Sequence, residues 1–170
     1  MTVYIALLRA VNVGGTGKLP MVELKAMCEA VGFKNVRTYI ASGNVVFESA
    51  AAEAKVKSLL ETRLTKYAGK SVGVVVRTAS ELAAVLKANP FPKAAPNRTV
   101  AIFLDDTPPA DAVKQATGRA NEEMRLGTRE IYVHYGDGMA DSKLKIPAAK
   151  AGTARNINTI GALVKLAASA

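Results

Sequence analysis

Three short clusters hold the side chains whose types and spacing could do chemistry: Asn12-Val-Gly-Gly-Thr-Gly-Lys18, Ser42-Gly43-Asn44 and Thr153-Ala-Arg-Asn-Ile-Asn-Thr159. The first includes Gly14 and Gly15, ends in Lys18 and stands just ahead of a helix start at Pro20. Backbone N–H groups of such a loop, with the first turn of a helix, favour anions. No known nucleotide motif is present: G-x-x-x-x-G-K-[ST] would need glycine at Asn12 and Ser or Thr at Leu19, and G-x-G-x-x-G lacks its third glycine. The bland alternative is a flexible turn. In the third cluster Arg155, Asn158 and Thr159 fall opposite an apolar helical stripe of Ile157, Ile160, Val164 and Ala167. Asn156 sits at the margin of that stripe, where helix capping competes with ligand contact.

The familiar catalytic residue types are scarce. Cys28 lies in a helical stripe with Met21, Leu24, Met27 and Val31, which makes it a core thiol. His134 is the only histidine, and strand alternation places it with Glu130 and Tyr132 on the solvent side, opposite Ile131, Val133 and Tyr135. One histidine and one core cysteine make neither a metal site nor a Cys–His dyad. Asp105-Asp106 could hold Mg²⁺, but capping the helix that follows explains them more simply. No catalytic residue, metal or cofactor is called for.

The elements that must position these clusters can be read from periodicity. Residues 3–9 form an apolar strand, Pro20 opens a helix that Gly32 stops, and Val36–Ile40 and Val45–Phe47 flank Ser42-Gly43-Asn44 as a hairpin. A helix at 52–68 and a strand at 71–77 follow, giving β-α-β-β-α-β, the ferredoxin-like or split βαβ order. Thr78-Ala-Ser-Glu81 is a capping box before a short helix carrying Leu82, Val85 and Leu86. A second half then opens with a strand at 99–104, a helix at Thr107-Pro108, and a hairpin of 123–126 with 129–135. Its end reads as helical segments in place of a last strand. The expected fold is α+β, with two ferredoxin-like subdomains, the second incomplete and ending in helices. Their bounds are 1–88 and 98–170, joined by a connector at 89–97 into one compact unit. Parallel first and second strands would bring the 12–18 loop and the 42–44 turn to one edge of the sheet.

Composition bounds the rest. The chain has 170 residues, 49% of them apolar, enough for a core without disulfide or metal. No run approaches the roughly 18 apolar residues of a membrane span, so no membrane partner is expected. The amino terminus reads as a strand and not as a leader, and a cytoplasmic location is the default expectation. Net charge is +9 but lopsided: residues 51–100 carry nine Lys/Arg against three acids, residues 101–150 seven against eight. Lys55, Lys57, Arg63, Lys66 and Lys70 supply much of the excess, on or just beyond a helix whose apolar positions are Val56, Leu59, Leu60, Leu64 and Tyr67. That pattern is either a solvated face or a polyanion-binding one.

Seven strings, in order, carry a resemblance: Leu8–Gly15, Met21–Leu24, Val31-Gly-Phe33, Val36–Phe47, Asn89-Pro-Phe91, Ser142-Lys-Leu144 and Thr153–Thr159. Together they resemble the family called domain of unknown function 1697. The resemblance implies a bacterial, cytoplasmic protein with ferredoxin-like subdomains and no established activity. It marks Arg9, Asn12, Gly14 and Gly15, then Ser42, Gly43 and Asn44, then Arg155, Asn156, Asn158 and Thr159. One departure is Ile157, where the family usually has tryptophan.

Two functional expectations follow. The first is a binding protein or enzyme for a small anionic, phosphate or nucleotide-like ligand, held by Asn12, Gly14, Gly15, Lys18, Ser42 and Asn44 and completed by Arg155, Asn158 and Thr159. The second is an RNA-recognition-like nucleic-acid-binding protein using Tyr4 and Phe47. Against the second, Val3, Ile5 and Leu7 make one face of the first strand and Tyr4, Ala6 and Leu8 the other, and a strand apolar on both faces is covered on both. An interaction protein without catalysis is a third possibility.

Overall fold

Short, nearly continuous apolar runs build a four-stranded antiparallel sheet in the first part of the chain. In the computed structural model the described residues are 1–9, 18–40, 42–136, 138, 139 and 142–169. The first elements are β1 (Thr2–Leu8), α1 (Met21–Ala30), β2 (Lys34–Tyr39), β3 (Asn44–Ser49), α2 (Glu53–Ala68) and β4 (Val74–Thr78). The sheet order is β2-β3-β1-β4. Tyr4 pairs with Phe47 and Thr78, and Ala6 with Val45 and Val76, so these side chains share one face with Leu8 and Val74. α1 lays Leu24, Met27 and Cys28 on that face, and α2 adds Val56, Leu60 and Leu64 at a spacing of one helical turn. The Phe33 ring stacks on Phe47 with centroids 4.2 Å apart. Gly69, at φ 73°, closes α2 in the left-handed conformation, its amide donating to the Thr65 carbonyl at 2.9 Å. Both faces of β1 are buried from Tyr4 onward.

The remaining elements are α3 (Ala79–Lys87), β5 (Thr99–Phe103), β6 (Glu123–Leu126), β7 (Glu130–His134), β8 (Thr153–Asn156) and α4 (Ile157–Ala168). The capping box forms: Thr78 Oγ1 accepts the Glu81 amide at 3.1 Å, and Glu81 Oε1 accepts the Thr78 amide at 2.9 Å. The second sheet has the order β6-β7-β5-β8, all antiparallel. One face carries Val100, Ile102, Met124, Ile131 and Val133, and Ala112, Leu144, Ile146 and Ala149 pack against it. The chain divides into one unit of Met1–Ala83 with Ala162–Ala170 and another of Ala84–Gly161. The segment 89–97, read as a connector, falls inside the second. Among the described residues no helix is long and apolar enough to cross a membrane.

Four readings are corrected. Thr153–Asn156 is not the head of a helix but strand β8, because its backbone completes the free edge of β5 through Val100↔Asn156 and Phe103↔Thr153. The second half therefore keeps its last strand and loses helices instead. After Thr107-Pro108 the chain makes successive turns: Ala112 donates to Pro109, Gln115 to Asp111 and Ala116 to Val113, before Thr117 leaves to pair with Lys145. Two adjacent prolines and so early an exit leave too few residues to repay helix nucleation. The face of β7 assigned to solvent is also covered: Glu130 is 4% and Tyr132 3% exposed, and His134 is half-buried. The Tyr132 hydroxyl donates to the Val85 carbonyl of α3 at 2.8 Å, which holds that face closed. Finally Tyr67, read as part of the apolar side of α2, is 47% exposed.

Candidate functional site

Because β1 and β2 are each antiparallel to β3, they run parallel to each other and end at the same edge of the first sheet. There the Leu8 amide donates to the Gly43 carbonyl at 2.8 Å, and the Arg9 amide donates to the Gly73 carbonyl at 2.9 Å. The exposed Arg9 thus sits where the chain leaves β1, flanked by the 42–44 turn and the approach to β4. Asn12, Gly14 and Gly15 lie outside the described residues. Lys18 is exposed, just before the buried Leu19 that anchors the chain ahead of α1.

The turn is wired from within. Asn44 is fully buried, and its Nδ2 donates to the Tyr39 carbonyl at 2.8 Å and to Ser42 Oγ at 2.9 Å. Both amide protons are therefore spent on closing the hairpin, which is a positioning role. Ile40, at φ 47°, occupies the left-handed region, where a β-branched residue is an outlier. Strain of this kind persists only where the surroundings impose it, and it collects near ligand-binding turns.

The other candidates belong to the second unit. Arg155 lies in β8 opposite Ala101, which itself faces Tyr132, so the three share one row on the face away from the Val100 core. Its Nη1 donates to the Ala154 carbonyl at 2.9 Å, and burial pulls its pKa down to about 10, leaving it charged at neutral pH. Asn156 caps α4, its Oδ1 accepting the Thr159 amide at 2.8 Å. That bond engages the Thr159 backbone, while Asn158 is exposed.

The remaining titratable groups have structural partners. Burial, and then the nearby Glu29, push the Cys28 thiol up to about 12. The Thr99 hydroxyl lies 3.0 Å from the Ala95 carbonyl, to which it donates, and 3.2 Å from His134 Nδ1. No group of three or more His, Cys, Asp and Glu side chains that could hold a metal occurs among the described residues. Tyr4 and Phe47 are buried in the first core, and the Tyr4 hydroxyl donates to the Ala51 carbonyl at 2.7 Å. Neither ring can stack on a base, which removes the platform of the RNA-recognition reading.

The family resemblance marked Arg9, but the expected ligand contacts left it out, and Gly73 was missed altogether. Arg9 was visible as the first charge after an apolar strand, but its neighbour Gly73 is set by pairing between β1 and β4.

No curated protein matches the chain. Among solved structures, a conserved bacterial protein of Streptococcus pneumoniae, SP0830, is similar with a TM-score of 0.79 at 24% identity, over 98% of each chain. At that identity the likeness carries the fold alone. The family model described as "Protein of unknown function (DUF1697)" matches residues 1–132, well over half of the sequence. The chain therefore belongs to the DUF1697 family of proteins of unknown function.

Proposed function

We propose that this chain is a bacterial, cytoplasmic binding protein for a small anionic ligand, with the ligand seated at the loop edge of a ferredoxin-like first unit. The observation that carries the reading is the pair of backbone bonds from Leu8 to Gly43 and from Arg9 to Gly73. They support a seat in which the exposed Arg9 cation stands beside a hairpin turn kept rigid by Asn44. Lys18, where the loop returns, adds a second cation. Arg supplies a planar fork suited to phosphate or carboxylate.

Thermal melting with pyrophosphate and nucleotides tests this. A ligand at a hundred times its Kd stabilises the folded state by about 2.7 kcal/mol, which for a chain of this size raises Tm by roughly 5–10 °C. The expected outcome is a rise with at least one anion, reduced in Arg9→Ala and Lys18→Ala. No rise with any of them, or a rise untouched by both substitutions, defeats the proposal.

A further inference from the structure

α1 and α2 cover the same sheet face in opposite directions, since each begins or ends at the edge where β1 stops. The first turn of α1 therefore stands beside the last turns of α2. Between them is a cavity of about 330 Å³ lined by Glu23, Ala26, Met27, Arg63, Lys66 and Tyr67. That volume is within the range of small-ligand sites. Arg63, Lys66 and Tyr67 follow helical i, i+3, i+4 spacing, so all three project to one side of α2. Neither Arg63 nor Lys66 forms an ion pair among the described residues; Lys57 pairs with Glu61 at 3.2 Å, a turn away. The cavity thus combines two cations, one aromatic ring open to solvent and one carboxylate. The concavity sets these residues apart from the other lysines of the helix, since it gathers cations, a ring and a carboxylate from two helices into one place.

We propose that this cavity binds a nucleoside monophosphate, a ligand that joins a phosphate to a flat, amine-bearing ring. Arg63 and Lys66 hold the phosphate through charge-assisted hydrogen bonds, with the Arg63 fork able to engage two oxygens. The heterocycle lies against the Tyr67 ring with Met27 beneath it. Glu23 accepts a hydrogen bond from the exocyclic amine, which selects against a simple phosphate ester. The positive end of α1, at Glu23, offsets the negative end of α2 next to the bound anion. This site shares no lining residue with the sheet edge at Arg9 and stands independently of it.

Calorimetric titration with AMP, adenosine and inorganic phosphate provides the test, on the full chain and on variants whose melting shows them folded. AMP is expected to bind, with adenosine and phosphate each at least tenfold weaker. The double variant Arg63→Ala/Lys66→Ala should weaken AMP at least tenfold, and Tyr67→Ala should weaken AMP while leaving phosphate unchanged. Lys55→Ala, which removes a charge from α2 outside the cavity, should change AMP affinity less than twofold. The proposal is overturned if AMP fails to bind at millimolar concentration, or if Lys55→Ala weakens it as much as the double variant does. It is likewise overturned if AMP is lost in Arg9→Ala but retained in Arg63→Ala/Lys66→Ala, a result that would favour the sheet edge instead.

Discussion

The two units share a plan for their strands and differ in what covers them. Each has four antiparallel strands with its first strand in an interior position, flanked by its third and fourth. In the first unit two helices supply the apolar layer over that sheet; in the second, turns around Ala112 and the segment Leu144–Ala149 do so. Strand order follows from hairpins and from pairing an exposed edge, demands that every sheet must meet. The covering layer follows from what each connection contains. The connection ahead of β2 carries a clean helical stripe, whereas the one ahead of β6 begins with Pro108 and Pro109 and must reach Lys145.

The comparison can be broken where each layer depends on one residue. Phe47 is the centre of the helix-covered core, in contact with the rings of Phe33 and Tyr4. Its truncation in Phe47→Ala should cost about 3–5 kcal/mol, read as a lowered urea midpoint. A cost near 1 kcal/mol would mean that the helices do not depend on this face. The loop-covered unit has its counterpart in Gly118, at φ 72°, where an added Cβ would meet the Lys143 backbone carbonyl. Gly118→Ala should cost about 2–3 kcal/mol, since backbone on both sides would have to move; an unchanged midpoint would show that these loops are not a packed layer.

A smaller effect sharpens the contrast through pH. The Ser142 hydroxyl and the Ala120 amide each donate to the Glu122 carboxylate at 2.6 Å, and both hold its pKa below the ordinary carboxylate value. A depressed folded pKa contributes stability that is present above the unfolded value of 4.5 and is lost as pH falls through the folded one. Glu122→Gln should therefore flatten the acid side of the stability profile, measured by urea titration at stepped pH. An unaltered profile would remove Glu122 from the forces that hold the loop cover in place.

Much of the first unit was legible because its strands are short apolar runs and its helices repeat at 3.6 residues, so Tyr4, Phe47, Leu60 and Cys28 announce their burial locally. The capping box at Thr78 and Glu81 was legible for the same reason: all its partners lie within four residues. β8 was not, because Thr153-Ala-Arg-Asn156 has no apolar alternation and becomes a strand only by pairing with distant β5. Glu130 and Tyr132 misled in the opposite direction, since polar atoms on alternate positions suggest solvent until Val85 supplies a partner. At the candidate edge, parallel β1 and β2 predicted that the 12–18 loop and the 42–44 turn would emerge together, and of these only Lys18 and the turn fall within the described residues. Nothing in the sequence predicted the left-handed Ile40, or that Asn44 would turn both its donors inward. Of the cavity residues, Arg63 and Lys66 were readable as charges of α2 but Tyr67 was read on its apolar side, and Glu23 and Met27 join them only through packing of one helix beside another.

Cys28 gives the contrast between units a clock. Its thiol is the chain's only one, lies wholly in the first core, and is held protonated by a pKa of about 12. A thiol-selective reagent can modify it only when that core opens and the thiolate forms. The speed of alkylation under native conditions therefore times the opening of the helix-covered unit, with no engineered label and no signal from its loop-covered counterpart.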